Sequence, residues 1–293
     1  MSEDMSQLTI KSTFKLLSGN TIPRFGLGVY QSRGEECFEA VKEALKADYR
    51  HVDSAQMYRN EELVGKAVIE SGVPRSEVFI TTKYNPNHKI RTTEDVYQDL
   101  KSSLPKIDPS SEGANGSKPY IDLMLIHAPW GGDEGRGNNW AALAKAQKEG
   151  WIKDIGVSNF GAKQLENLPE PVPVINQIEL HPWCQQRPTV AYCQKKGIAV
   201  EAYTPLVQAH KERFQEPKLL SICKKHGKDQ AQVLIRWSLQ KGYVVIPKSV
   251  TPSRIRSNAQ VYDFNLDKED MDALDSLDMG ADGAVTWNPV DKD

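Results

Sequence analysis

Short apolar runs alternate with longer amphipathic stretches along this chain, and the junction between them repeats. A helical stretch closes on glycine and an apolar run follows soon after. Glu70-Ser71-Gly72 leads to Val78-Phe79-Ile80, and Glu149-Gly150 to Ile152 through Val157. Lys196-Gly197 leads to Ile198-Ala199-Val200, and Lys241-Gly242 to Tyr243-Val244-Val245-Ile246. Glycine just past a helix suits the left-handed capping conformation, and β-branched runs suit buried parallel strands. Phe25–Tyr30, Tyr49–Asp53, Ile121–His127 and Val174–Leu180 bring the candidate strands to eight. Between them, Glu35–Ala47 carries Phe38, Val41 and Leu45 on one face, and Gln230–Gln240 carries Val233, Leu234 and Trp237. Eight βα units in 293 residues predict a (β/α)8 TIM barrel, an α/β fold. Ahead of them, Phe14-Lys15-Leu16-Leu17 and Thr21-Ile22 flank Ser18-Gly19-Asn20, which predicts an N-terminal β-hairpin closing the barrel floor.

Asp108–Pro119 is polar, rich in Gly and Ser and longer than a usual αβ link, so it predicts a surface insertion. No linker interrupts the rest, and residues 1–293 read as one barrel domain with a C-terminal tail from about Met279. Hydrophobic residues at 39% and charged residues at 26% are a globular balance that can bury a core. A net charge of −2 gives no basic surface for nucleic acid or an anionic membrane. No apolar run approaches the ~20 residues that cross a bilayer, and Met1 to Gln7 lacks a signal-peptide core. Cys37, Cys184, Cys193 and Cys223 form no Cys-x-x-Cys pair, which suggests reduced thiols in a cytoplasmic protein. The formal glycosylation sequon Asn115-Gly116-Ser117 is then a chance match.

In such a barrel the functional residues collect at the C-terminal ends of the strands. Those ends carry Asp53 with Tyr58, then Lys83, His127, Ser158-Asn159, Gln177, Tyr203 and Lys248. Each has an ordinary structural explanation when taken singly: a cap, a solvated charge, a core histidine, a packing ring. Together, polar residues closing successive apolar runs converge on one mouth. They also form a chemical set. A phenol is protonated at neutral pH and can donate to a developing alkoxide, and a neighbouring ammonium is expected to lower its pKa. Asp53 can keep Lys83 charged and aimed, and His127 can orient a substrate oxygen.

The ordered motifs resemble those of the aldo-keto reductases. They are Asp53-Ser54-Ala55-Gln56-Met57-Tyr58, Lys83, Leu125-Ile126-His127 and Gly156-Val157-Ser158-Asn159-Phe160. Asn176-Gln177, Ala202-Tyr203-Thr204-Pro205-Leu206 and Ile246-Pro247-Lys248-Ser249 follow, and the match runs to about Phe264. The resemblance implies metal-free, NADPH-dependent reduction of an aldehyde or ketone to an alcohol. It implies Tyr58 as general acid, Lys83 and Asp53 tuning it, and His127 orienting the carbonyl. It further implies Ser158, Asn159 and Gln177 on the nicotinamide carboxamide and Tyr203 stacked on the nicotinamide ring. Thr204, Leu206, Gln208 and Val250 are further cofactor contacts by the same resemblance.

A Rossmann fingerprint is absent, because Gly26-Leu27-Gly28 is followed by Val29, Tyr30 and Gln31. The dinucleotide signal lies at the other end. Thr251-Pro252 reads as an N-cap and a first helical position, with Lys248, Arg254 and Arg256 clustered around a helix start that disfavours cations. A bound phosphate resolves that conflict. By the resemblance, Lys248, Ser249 and Arg254 grip the 2′-phosphate of NADP+ and Asn258 contacts adenine. Ser257 departs from the glutamate that many relatives carry. Tyr30 and Trp130 are candidate substrate walls beside His127. His181-Pro182-Trp183 reads as structural, and a short tail ending in Trp287-Asn288-Pro289 predicts an open, permissive pocket. The partner is then a small carbonyl molecule, and the chain a monomer, with a dimer as the alternative. Two other functions stay open: a metal-dependent hydrolase using His51, Asp53, His127 and His181, and a cofactor-binding regulatory subunit.

Overall fold

Alternation becomes a closed barrel in the computed structural model, which describes residues 7–109 and 118–292. Strands β1 (Thr13–Lys15) and β2 (Thr21–Pro23) pair antiparallel, and Leu16 N donates to Asn20 O at 2.8 Å across the predicted turn. The barrel strands are β3 (Leu27–Gly28), β4 (His51–Asp53), β5 (Phe79–Tyr84) and β6 (Ile121–Ile126). They continue as β7 (Ile152–Ser158), β8 (Ile175–Glu179), β9 (Ala199–Tyr203) and β10 (Val244–Val245). All eight are parallel and neighbour one another in chain order. The last meets the first through Gly26 N to Val245 O at 2.9 Å and Gly28 N to Pro247 O at 3.1 Å. Phe25 and Gly28 thus sit on the closing seam in isolated bridges, so the predicted run Phe25–Tyr30 is a ladder strand only at Leu27–Gly28. At the other ends, β5, β7 and β9 extend past the predicted apolar runs, so Lys83, Ser158 and Tyr203 are themselves held in the ladder.

The helices that cover the barrel are α1 (Gly34–Lys46), α2 (Glu61–Glu70), α3 (Thr93–Lys101), α4 (Leu104–Ile107), α5 (Gly132–Lys148) and α6 (Ala162–Glu166). They are followed by α7 (Arg187–Lys196), α8 (Lys211–Phe214), α9 (Pro217–His226), α10 (Gln230–Gln240), α11 (Pro252–Asn258) and α12 (Lys268–Asp275). α10 starts where Asp229 accepts from Gln232 N while Gln232 Oε1 accepts from Asp229 N, a capping box. Gly197, at the end of α7, adopts the left-handed conformation expected of a capping glycine. Residues 110–117 of the predicted insertion, with the sequon, lie outside the described residues. Asp108 is no surface residue: it is buried, and its carboxylate accepts from Tyr120 N at 3.1 Å.

Two apolar cores result. One fills the layer between strands and helices. The other lies inside the barrel, where Leu16 and Ile22 from the hairpin meet Leu123, Leu125, Val174, Ile175, Ala199 and Val244. The hairpin therefore plugs the floor. Above it the interior turns polar, with His51, Thr81, Gln177 and Glu201 all buried. Room for them comes from glycine. A Cβ on Gly26 would stand 2.7 Å from the His51 ring, and one on Gly156 would stand 2.7 Å from Ile175 Cγ2 and 2.8 Å from Leu125 Cδ2. Among the described residues, no helix is long and apolar enough to cross a membrane.

A methyl group in so filled an interior forces neighbours off their rotamers. Gly156→Ala is expected to destabilise the fold by about 1–3 kcal/mol in urea unfolding. Unchanged stability would mean that the interior has slack at this level.

Candidate active site

Asp53 ends β4 in register with Thr81, and Lys83 stands two residues further along the neighbouring β5, so two adjacent strands deliver a carboxylate and an ammonium to the same point in the barrel mouth. Lys83 is fully buried. Its three donors find Asp53 Oδ2 at 2.5 Å, Ser54 O at 2.8 Å and, at the long distance of 3.4 Å, the Tyr58 hydroxyl. Tyr58 reaches that point from a 3-10 turn (Gln56–Tyr58) just after β4, closed by Arg59 in a left-handed conformation. His127 follows β6 and packs edge-on against Tyr58, ring centroids 5.6 Å apart. The four predicted residues therefore share one site. By contrast, Tyr49 is turned away, its hydroxyl donating to Ile255 O at 2.8 Å, and His51 lies a layer below against Thr81.

The electrostatics correct one expectation. The Tyr58 phenol is pushed up, not down: burial is the main cause, and the nearby Asp53, Tyr30 and Glu201 add to it. The ammonium beside it does not overcome them, so the hydroxyl keeps its proton at neutral pH. Burial also drives the His127 imidazole well below its ordinary value, with the Lys83 charge acting the same way. A neutral imidazole is thus available at the mouth.

Gln177, on β8, ties this cluster to the barrel interior. Its Nε2 donates to Asp53 Oδ1 at 2.7 Å and to Glu201 Oε2 at 2.9 Å. Both amide hydrogens are used, and among the described residues nothing bonds Oε1, which leaves an acceptor for an amide such as a carboxamide. Beside it, Asn159 Nδ2 donates to His127 O at 3.0 Å and its Oδ1 accepts from Tyr203 OH at 2.8 Å. Ser158 Oγ donates to Gln177 O at 2.8 Å. Ser158, Asn159, Gln177 and Tyr203 thus form one bonded wall. Beyond Tyr203, non-glycine residues Thr204, Val207, Gln208 and Ala209 all have positive φ, while Leu206 does not. Such strain concentrates at functional loops, and Gln208 is exposed there.

The segment expected to meet a phosphate runs from Lys248 into α11. Thr251 precedes α11 and Pro252 starts it, but the Thr251 side chain makes no cap; Ser249 Oγ instead accepts from Thr251 N at 3.2 Å. Arg256 is neutralised by Glu43 of α1 and drops out of the cationic set. Lys248 and Arg254 are exposed, and among the described residues neither has an ion-pair partner. These two exposed cations and the Ser249 hydroxyl, all within seven residues of chain, are groups of the kind that hold a phosphate. Val250 is half-buried and Asn258 buried in the same segment, while the hydroxyl of Ser257 turns back to Arg254 O at 3.2 Å.

The pocket walls hold a further correction. Tyr30 packs 5.0 Å from the Tyr58 ring, and Trp130 stacks near His88. The tail does not leave the pocket open. Trp287 reaches over the site, 6.1 Å from the His127 ring and 5.7 Å from Trp130. What brings it there is Glu179, a buried carboxylate at the end of β8. It accepts from Val285 N at 2.6 Å, from Thr286 N at 3.1 Å and from the Thr286 hydroxyl. Its remaining bond comes from His181 Nε2 at 2.9 Å, which gives the His181-Pro182-Trp183 stretch its structural task. Among the described residues, no three His, Cys, Asp or Glu side chains converge as a metal-ligand set.

Comparison with known proteins agrees with this geometry. The family model described as the aldo/keto reductase family matches residues 24–279. The chain is 42% identical over 286 residues to the glyoxal reductase of Bacillus subtilis (strain 168), covering 96% of this chain and 97% of that one. It is 43% identical over 273 residues to the methylglyoxal reductase DkgA of Escherichia coli (strain K12), covering 92% and 94%. Among solved structures, a Bombyx mori aldo-keto reductase in complex with NADP superposes with a TM-score of 0.83 at 33% identity, covering 96% of this chain and 97% of that one.

The Glu179 clamp carries its own test. Glu179→Gln removes the charge that holds Val285 and Thr286, and is expected to raise KM for a carbonyl substrate by about tenfold, charge-assisted bonds contributing roughly 1.5–3 kcal/mol each. Chymotrypsin should then cut at Trp287 faster than in the parent. An unchanged KM and an unchanged cleavage rate would show that the tail is held by other contacts.

Proposed function

This chain belongs to the aldo/keto reductase family, and on that premise we propose how its own residues carry the reaction and which carbonyls they take. The protein is an NADPH-dependent oxidoreductase that reduces carbonyl groups to alcohols. When bound, NADPH supplies the hydride that becomes the new C–H bond. The chain supplies the proton. Tyr58 gives up its hydroxyl hydrogen to the carbonyl oxygen as negative charge develops there, and the O–H bond of the phenol breaks as that of the alcohol forms. The balance is one hydride and one proton added across C=O, leaving a Tyr58 phenolate that solvent later reprotonates.

The observation that carries this assignment is the set of three acceptors around buried Lys83, one of which is Tyr58. The ammonium faces the phenolate as it forms, where its charge counts most. Asp53 holds the ammonium in place. His127, neutral and edge-on to Tyr58, orients the carbonyl oxygen by donating an N–H. Ser158, Asn159 and Gln177 take the nicotinamide carboxamide, and the half-buried Tyr203 ring is the surface for the nicotinamide. Lys248, Ser249 and Arg254 hold the 2′-phosphate, and Asn258 the adenine; Thr204, Leu206, Gln208 and Val250 line the path between.

For the substrate we favour small α-oxoaldehydes. Two relatives are a glyoxal reductase and a methylglyoxal reductase, and the mouth here is narrowed by Tyr30, Trp130 and Trp287. Four free cysteines support a cytoplasmic setting.

With methylglyoxal and NADPH, the protein is expected to turn over, and Tyr58→Phe to keep NADPH binding while losing about 10²–10⁴-fold in kcat. Undiminished kcat in the variant would remove Tyr58 as the acid; no turnover of methylglyoxal by the parent would remove the substrate class. Arg254→Met should weaken NADPH far more than NADH in fluorescence titrations. Equal losses for both would mean that Arg254 does not meet the 2′-phosphate.

A further inference from the structure

One buried acid plays no part in the reaction as described. Glu201 points from β9 into the barrel, one layer beneath Asp53, and is fully buried. Its Oε2 accepts from Gln177 Nε2 at 2.9 Å, and its Oε1 has no hydrogen-bond partner. The same Gln177 nitrogen donates to Asp53 Oδ1 at 2.7 Å, so one amide bridges two carboxyls in a closed interior. The groups around Glu201 are few. From β4 come His51 and Asp53, from β5 Lys83, from the turn after β4 Tyr58, and from β8 the neutral Gln177. β10 contributes the in-register Val244 and no charge.

Charge cannot be balanced there if both carboxyls ionise. Lys83 contacts Asp53 at 2.5 Å and does not contact Glu201. His51 Nε2 lies 3.7 Å from Glu201 Oε1, but this is no ion pair, since burial and the Lys83 charge push the imidazole down to about 3. Of the two carboxyls, Glu201 therefore holds the proton. Burial, reinforced by the charge of Asp53, pushes it up to about 8. Gln177 gives each carboxyl one neutral N–H but no charge, so it cannot offset a second carboxylate beside Asp53.

We propose that Glu201 is a positioning residue that must keep its proton for catalysis, so that the Tyr58 phenolate left after proton donation faces one buried carboxylate instead of two. This rests on the assignment of Tyr58 as the acid. Ionised Glu201 would place a second negative charge under the pair and raise the cost of the phenolate. The protein then carries its own alkaline limit, set from below the site and not by a group that touches substrate.

The test compares pH profiles of kcat/KM for methylglyoxal reduction, from about pH 6.5 to about pH 9.5, in the parent, Glu201→Gln and Tyr58→Phe. Gln mimics the protonated acid and cannot ionise. The ratio of Glu201→Gln to parent should rise on the order of tenfold from the acid to the alkaline end. A flat ratio overturns the proposal. If Tyr58→Phe retains the parent's turnover, it is the acid assignment that has failed; if Tyr58→Phe is inactive and the ratio is flat, Glu201 alone was misread. A measurement on the parent does not depend on a variant folding. With glutamate carboxyls isotopically labelled, infrared spectra should show a protonated-carboxyl band near pH 6.5 that is lost by about pH 9.5. Asp53 and Asp122, also pushed up by burial, stay silent under that label. No such band at the acid end overturns the proposal as well.

Discussion

The site depends on one buried contact, the 2.5 Å pair of Lys83 and Asp53 inside the barrel mouth. Two charges taken out of water are costly, and removing either partner alone would leave the other uncompensated, at about 3–5 kcal/mol. Such a pair persists only where geometry satisfies the remaining donors and acceptors. Here the strand ladder does so, because β4 and β5 are neighbours in register and Ser54 offers its carbonyl in the next position. Once the ammonium is fixed, the rest of the site is constrained. Tyr58 has one place to set its hydroxyl, Gln177 must turn its nitrogen toward Asp53, and its oxygen is thereby left for a ligand.

The pair also shows why proximity of a cation does not by itself make a phenol acidic. In water, an ammonium near Tyr58 would lower its pKa. In the barrel, burial acts on the phenolate more strongly than a cation whose charge is already largely matched by Asp53, and the Asp53 carboxylate itself opposes the phenolate. The site is arranged less to make phenolate cheap at rest than to hold a proton until negative charge appears on the substrate.

Much of this was legible in the sequence because the barrel imposes a simple rule: runs that alternate with helices must be parallel strands, and polar residues ending them must meet at one face. Asp53, Lys83, His127, Ser158 and Gln177 could be placed by that rule. The exact strand limits could not, since Phe25 and Gly28 are engaged in closing the barrel and Lys83 continues a ladder that hydrophobicity alone would have ended at Ile80. Three features escaped the sequence reading. Arg256 counts in the sequence among the cations at the helix start, but Glu43, 213 positions away, pairs with it. Trp287 belongs to the pocket only because a distant carboxylate holds its neighbours. Glu201 had a signal that could have been caught, an acid sharing the inward parity of Tyr203 within an otherwise apolar strand.

The tail over the pocket has a consequence for how the protein can change. Trp287 is delivered by backbone and hydroxyl bonds from Val285 and Thr286 to Glu179, while the residues that move the proton are fixed by strands on the far side of the mouth. Two of those tail bonds come from main-chain N–H groups, which almost any residue provides. Mutational drift in the tail can therefore trade one pocket wall for another without disturbing the chemistry beneath. Substrate range and reaction type are in this way separately inheritable.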